Sequence, residues 1–118
     1  MNTGRTSREV KDLDVAAVIK TLYYYAGAVG SSADFDSHEP LGVVAIVGYF
    51  DSPLLSVVGK LAAALVAGNA CLLVPNSLTP LSSYLLVELC IQSGVPFGVV
   101  NLIVTSMRIL LFTKLTSL

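Results

Sequence analysis

Residues 41–75 read LGVVAIVGYFDSPLLSVVGKLAAALVAGNACLLVP, and the fold turns on how this stretch is divided. Residues 41–50 are apolar or small throughout, with no polar residue on every second position. That is the pattern of a strand buried on both faces. Asp51-Ser52-Pro53 breaks it. Ser52 suits a helix N-cap and Pro53 the first helical position, where a missing N–H costs nothing. Residues 53–67 then suit a helix that is apolar nearly all round, ended by Gly68-Asn69. Residues 70–75 read as a second buried strand. A strand, a helix and a strand in close succession imply a parallel pair joined by a right-handed crossover.

The same grammar continues outward. Thr79-Pro80 repeats the cap-and-proline pattern and opens a helix that runs to about Ser93, stopped by Gly94 and Pro96. Residues 98–104, GVVNLIV, read as a third strand. On the amino side, Val10, Leu13, Val15, Val18, Leu22 and Tyr25 recur at spacings of three and four, apart from one step of two. They predict a helix over 8–29. Within it, the run Tyr23-Tyr24-Tyr25 is expected to pack against a neighbouring element. Residues 31–40 read as a polar loop. The chain is thus α/β, in the order α-β-α-β-α-β, with a parallel sheet that should be covered on both faces.

Composition limits what such a unit can do. The chain has 118 residues, a net charge of −1, 54% apolar residues and 13% charged ones. An ordinary domain carries about 25% charged residues. Disorder is excluded, because it needs low hydrophobicity and high charge. The near-zero charge gives no electrostatic footprint for a nucleic acid. Residues 1–40 hold ten of the fifteen charges (seven basic, eight acidic). The remainder is therefore either membrane-embedded or an inner layer of a larger body. A membrane span over 53–75 would place Lys60 near the bilayer centre, at a cost of at least about 2.5 kcal/mol. Gly68-Asn69 would also interrupt it, so no span is expected. The polar Met1–Ser7 segment has no apolar core for a signal peptide, and a cytoplasmic location is the expectation.

Most chemical motifs are absent. Gly59-Lys60 is followed by Leu61 rather than Ser or Thr, and position 54 is Leu, so there is no phosphate loop. His38 is the only histidine and falls in the polar loop, which leaves neither a metal cluster nor a Ser-His-Asp triad to argue. Cys71 and Cys90 do not make a disulfide framework. With no cationic neighbour in sequence, they read as buried, inert thiols.

Residues 39–101 do carry a specific signal. They contain, in order, Glu39-Pro40 with Gly42, the segment Tyr49-Phe50-Asp51-Ser52-Pro53, Lys60-Leu61, Gly68-Asn69, Val74-Pro75-Asn76-Ser77 with Thr79-Pro80, and Gly98 to Asn101. Without a gap, this string resembles the aldehyde dehydrogenase superfamily in the first part of its dinucleotide-binding domain. The family words there are E-P-x-G-V-V, P-W-N-F-P, K-L-A-P-A-L-A-x-G-N, K-P-S-E-x-T-P and G-x-P-x-G-V-V-N. The resemblance implies a partial Rossmann-like parallel sheet, a fragment of that family's fold. It divides the chain into an N-terminal helix and loop (1–38), a partial dinucleotide-binding domain (39–105) and a divergent tail (106–118). An extra, degenerate module of the family-16 kind is one form such a chain could take.

The resemblance also implies a chemistry. The family oxidises aldehydes to acids with NAD(P): a cysteine thiolate attacks the carbonyl, hydride leaves to the cofactor, and water cleaves the thioester. Its nucleophile and general base lie downstream of the matched segment. The expectation is a truncated, catalytically silent relative. Asp51 stands where the family has the asparagine whose amide donates to the developing oxyanion, and an ionised aspartate only accepts. Losing one such donor costs about 10² to 10³ in rate. Val74 stands where the family has the lysine that contacts the adenosine ribose or its 2′-phosphate. Asn76 and Ser77 replace the serine and glutamate after it. Val47, Gly48, Tyr49 and Phe50 occupy the segment that lines the cofactor. NAD(P) binding by this chain is therefore doubtful on sequence grounds. The implied partners are like or related dehydrogenase chains, in a homo- or hetero-oligomer. The rival reading is a non-catalytic interaction module for a full-length dehydrogenase-like partner.

Overall fold

A computed structural model describes residues 6–29, 37–48 and 54–105. A continuous helix, α1, occupies residues 7–29, with Ser7–Glu9 and Ala16–Val29 in α geometry and Val10–Val15 in π geometry between them. Its first turn is closed by a reciprocal cap. The Glu9 N–H donates to Thr6 Oγ1 at 3.3 Å, and the Thr6 N–H donates to Glu9 Oε2 at 2.9 Å. Strand β1 is Val43–Val47, helix α2 is Leu55–Val66, strand β2 is Ala70–Val74, helix α3 is Leu81–Gln92 and strand β3 is Val100–Leu102.

The sheet is parallel throughout, in the order β1-β2-β3, with Val43 opposite Ala70 and Cys71 opposite Val100. In this register Val44 and Ile46, Cys71 and Leu73, and Val100 and Leu102 share one face. They join Val57, Leu61, Ala64 and Leu65 of α2, and Leu86, Val87 and Cys90 of α3, in one apolar cluster. Both helices therefore cover the same face, and α1 packs along α2 as a further layer. The other face is only partly covered, with Val43 71% exposed and Ala45, Val47 and Leu72 half-buried. The α-β-α-β-α-β order and parallel pairing agree with the sequence, but two-sided cover is not found among the described residues. Two crossing helices fill one face of three strands and leave none for the other.

Both crossing helices end in the same way. Gly68 (φ 85°) and Gly94 (φ 97°) take the left-handed conformation that glycine adopts at no steric cost. Asn69 N–H donates to Ala64 O at 3.0 Å and Gly68 N–H to Leu65 O at 3.0 Å, the paired bonds of a Schellman stop. Val95 and Gly94 repeat them on Cys90 and Ile91 at 3.1 Å each.

Three local expectations are corrected. Thr79 does not cap α3, because its buried hydroxyl has no partner, as is also true of Ser82 and Ser83. Tyr23 and Tyr24 are exposed and only Tyr25 is half-buried. Three consecutive helical residues span about 200° of the helix surface, more than one neighbour can cover. Leu13 and Leu22 also face outward. The buried side of α1 follows Asp14, Val18, Thr21 and Tyr25, so Val18 and Tyr25 of the predicted stripe face inward and Leu13 and Leu22 do not. The Ser52 cap and Pro53 lie outside the described residues, as do most of the 31–40 loop and the 106–118 tail. No helix among the described residues is long and apolar enough to cross a membrane.

Candidate functional site

In open parallel α/β sheets, ligands bind beyond the carboxyl ends of the strands. Here that edge is formed by the ends of β1 and β2 and the turn after β2. Val47 pairs with Val74, and Gly48 N–H donates to Val74 O at 3.0 Å. A methyl group on Gly48 would lie 3.3 Å from both Pro75 Cα and Val57 Cγ2. The glycine is what lets the end of β1 sit against β2 and the first turn of α2. Beyond Pro75, Asn76 folds its side chain back on the chain. Its Oδ1 accepts from Leu78 N–H at 3.0 Å, and its carbonyl accepts from Thr79 N–H at 3.0 Å. Ser77 is exposed at the tip of this turn.

The structure thus brings together five of the eight sequence-predicted site residues: Val47, Gly48, Val74, Asn76 and Ser77. Tyr49, Phe50 and Asp51 lie outside the described residues. The five do not form a polar receptor. Val74 is fully buried, Gly48 is a packing contact, and Asn76 Oδ1 is engaged in its own turn. Only Ser77 presents an exposed polar side chain. No group of three or more potential metal ligands exists among the described residues.

The two thiols sit deeper. Cys71 is fully buried on β2, and Cys90 is half-buried on the inner face of α3. Burial pushes both pKa values up, and the neighbouring Cys90 raises Cys71 further. Both are protonated at neutral pH and unsuited to nucleophilic attack. His38 is exposed in the loop beside Ser37 Oγ, 3.1 Å from its Nδ1.

The amino-terminal edge of the sheet is built differently. Gly42 N–H donates to Asn69 Oδ1 at 3.0 Å, and Asn69 Nδ2 donates to Ala64 O at 3.2 Å. One buried amide therefore ties the entry of β1 to the end of α2. Gly68 leaves room for the Pro40 ring, whose Cγ would be 3.2 Å from an added methyl group. Ahead of β3, Gly98 has φ 86°, and Asn101 Nδ2 donates to Gly98 O at 2.8 Å. Sequence reasoning treated Gly68-Asn69 only as a helix stop and missed the cross-link. The signal for it was an amide directly after a Schellman glycine and directly before a strand.

An open parallel sheet with crossing helices is the class of protein to which this geometry belongs. The family model described as the aldehyde dehydrogenase family matches residues 1–111. The chain belongs to that family. It is similar to an aldehyde dehydrogenase from Bacillus cereus solved with NAD+, with 32% identity over 86% of this chain and a TM-score of 0.78. It is also similar to PnpE from Pseudomonas sp. WBC-3, with 32% identity over 87% of this chain and a TM-score of 0.79. A Mycobacterium tuberculosis aldehyde dehydrogenase complexed with NAD+ superposes with a TM-score of 0.80 at 27% identity over 90% of this chain. The chain spans 23% of the first two and 24% of the third.

Two of these relatives are solved with NAD+. Val74, at the end of β2, is fully buried and its side chain carries neither charge nor hydrogen-bonding group.

Proposed function

We propose that this chain is a non-catalytic relative of the NAD(P)-dependent aldehyde-oxidising enzymes. It keeps the scaffold of the dinucleotide-binding half and has lost its contacts to cofactor and oxyanion. One observation carries the reading. Words that match the family, Pro40 with Gly42, Gly68-Asn69 and Gly98 to Asn101, build the amino-terminal edge of the sheet. The departures that matter chemically, Val74, Asn76 and Ser77, fall at the carboxyl-terminal edge. By the resemblance in sequence, Asp51 stands at the family's oxyanion asparagine and is a further chemical departure. An ionised Asp51 would repel an oxyanion rather than donate to it.

The test is aldehyde oxidation by the full chain with NAD+ or NADP+, followed by the absorbance of reduced cofactor. No turnover above the uncatalysed rate is expected with short aliphatic or aromatic aldehydes. Turnover that saturates with aldehyde would overturn the reading.

A second reading is an interaction module for a full-length dehydrogenase-like chain. The partly open apolar face at Val43 and the exposed Leu41 and Phe97 support it. Co-purification with such a chain from the source cells would favour it.

A further inference from the structure

The outer faces of α1 and α3 repeat one pattern. Ala16, Ile19, Lys20, Tyr23, Tyr24 and Gly27 recur at helical spacing on α1, and all are exposed. Leu81, Tyr84, Leu85, Glu88, Leu89 and Gln92 recur at the same spacing on α3, and all are exposed. Each stripe is three helical turns long and carries one charge in a mainly apolar setting. Tyr23 is 77% and Leu89 57% exposed. Among the described residues neither Lys20 nor Glu88 has an ion-pair partner. Within the chain α1 packs on α2, and α3 packs on β3, so their outer faces point away from the body.

Lys20 is third of six in its stripe and Glu88 is fourth of six. An antiparallel pairing of α1 with α3 therefore sets Lys20 opposite Glu88. It also sets Ile19 against Leu89, Tyr23 against Leu85, and Tyr24 against Tyr84. The other pairings fail. Parallel α1–α3 alignment opposes Lys20 to Leu85 and Glu88 to Tyr23. Antiparallel α3–α3 opposes Glu88 to Leu85, and α1–α1 opposes Lys20 to Tyr23. Each leaves charges desolvated against apolar groups, a penalty that selects against it.

We propose that α1 of one copy docks antiparallel on α3 of a second copy, with Lys20 and Glu88 as the register-setting pair. The contact is heterologous, so each molecule offers one donor and one acceptor helix. The inference does not depend on the catalytic reading above.

Sedimentation velocity of the full chain over a concentration series tests it. The weight-average mass should rise above the monomer with concentration. Lys20→Glu alone and Glu88→Lys alone should each weaken association by about tenfold, since they oppose like charges at the contact. The double variant Lys20→Glu/Glu88→Lys should restore it. Both positions are exposed, so folding, checked by circular dichroism, should be unchanged. A wild-type chain that stays monomeric throughout would overturn the proposal. So would association indifferent to the single reversals, or a double variant no better than either single one.

Discussion

Asn69 shows how much one side chain can hold. It is 6% exposed, and its amide both accepts from Gly42 N–H and donates to Ala64 O. Asn69→Ala strands a backbone donor at the mouth of β1 and should cost about 2–3 kcal/mol by urea unfolding. A loss under about 0.5 kcal/mol would show that the corner holds without it. The thiols make a second prediction at this scale. Below the ordinary thiol value of 9.0, folded and unfolded chains both keep the Cys71 proton. Above it the unfolded chain releases the proton while the folded chain retains it. Stability should therefore fall as pH climbs from 9.0 toward the raised folded value. Cys71→Val combined with Cys90→Val should flatten that slope relative to wild type. An identical slope in the variant would place the alkaline loss elsewhere.

At the scale of elements, two glycines separate close approach from free surface. Gly48 sits between the end of β2 and the first turn of α2, and its nearest neighbour is the Pro75 backbone, which cannot swing aside. Gly48→Ala should destabilise by about 1–3 kcal/mol. Gly59 lies inside α2 with nothing near the position of an added methyl group. Gly59→Ala should stabilise by about 0.5–1 kcal/mol through the lost freedom of the unfolded chain. Equal signs for the two, read by thermal unfolding, would contradict this placement.

The elements also mark how far the sequence could be read. Residues 70–75 and 53–67 were legible because apolar runs bounded by proline and glycine leave few alternatives, and the observed elements fall within them. The third strand shrinks from 98–104 to Val100–Leu102, since Gly98 turns and only three residues find partners on β2. The buried side of α1 was misread at Leu13 and Leu22. The reciprocal Thr6–Glu9 cap was written in the sequence as T-S-R-E and was overlooked. At the candidate site, the environment of the residues was not legible. The resemblance sets Val74 at a family lysine, but the full burial of Val74 and the engagement of Asn76 Oδ1 by Leu78 N–H are consequences of packing and turn geometry.

For the whole molecule, the division of the sheet into two edges is the central fact. The amino-terminal edge is held by the Asn69 cross-link, two Schellman stops and the Gly98 turn, in the words the chain shares with its family. The carboxyl-terminal edge, where a dinucleotide would lie, offers a buried valine, a packing glycine and a self-bonded asparagine. Such a molecule can keep the fold without keeping the ligand, because the two edges are stabilised by different residues.

Isothermal titration calorimetry of the full chain with NAD+ tests this division most directly. The account predicts no saturable heat at cofactor concentrations up to about a millimolar, where binding free energies reach only about −4 kcal/mol. A dissociation constant in the micromolar range would show that the carboxyl-terminal edge still receives the dinucleotide, and would contradict it.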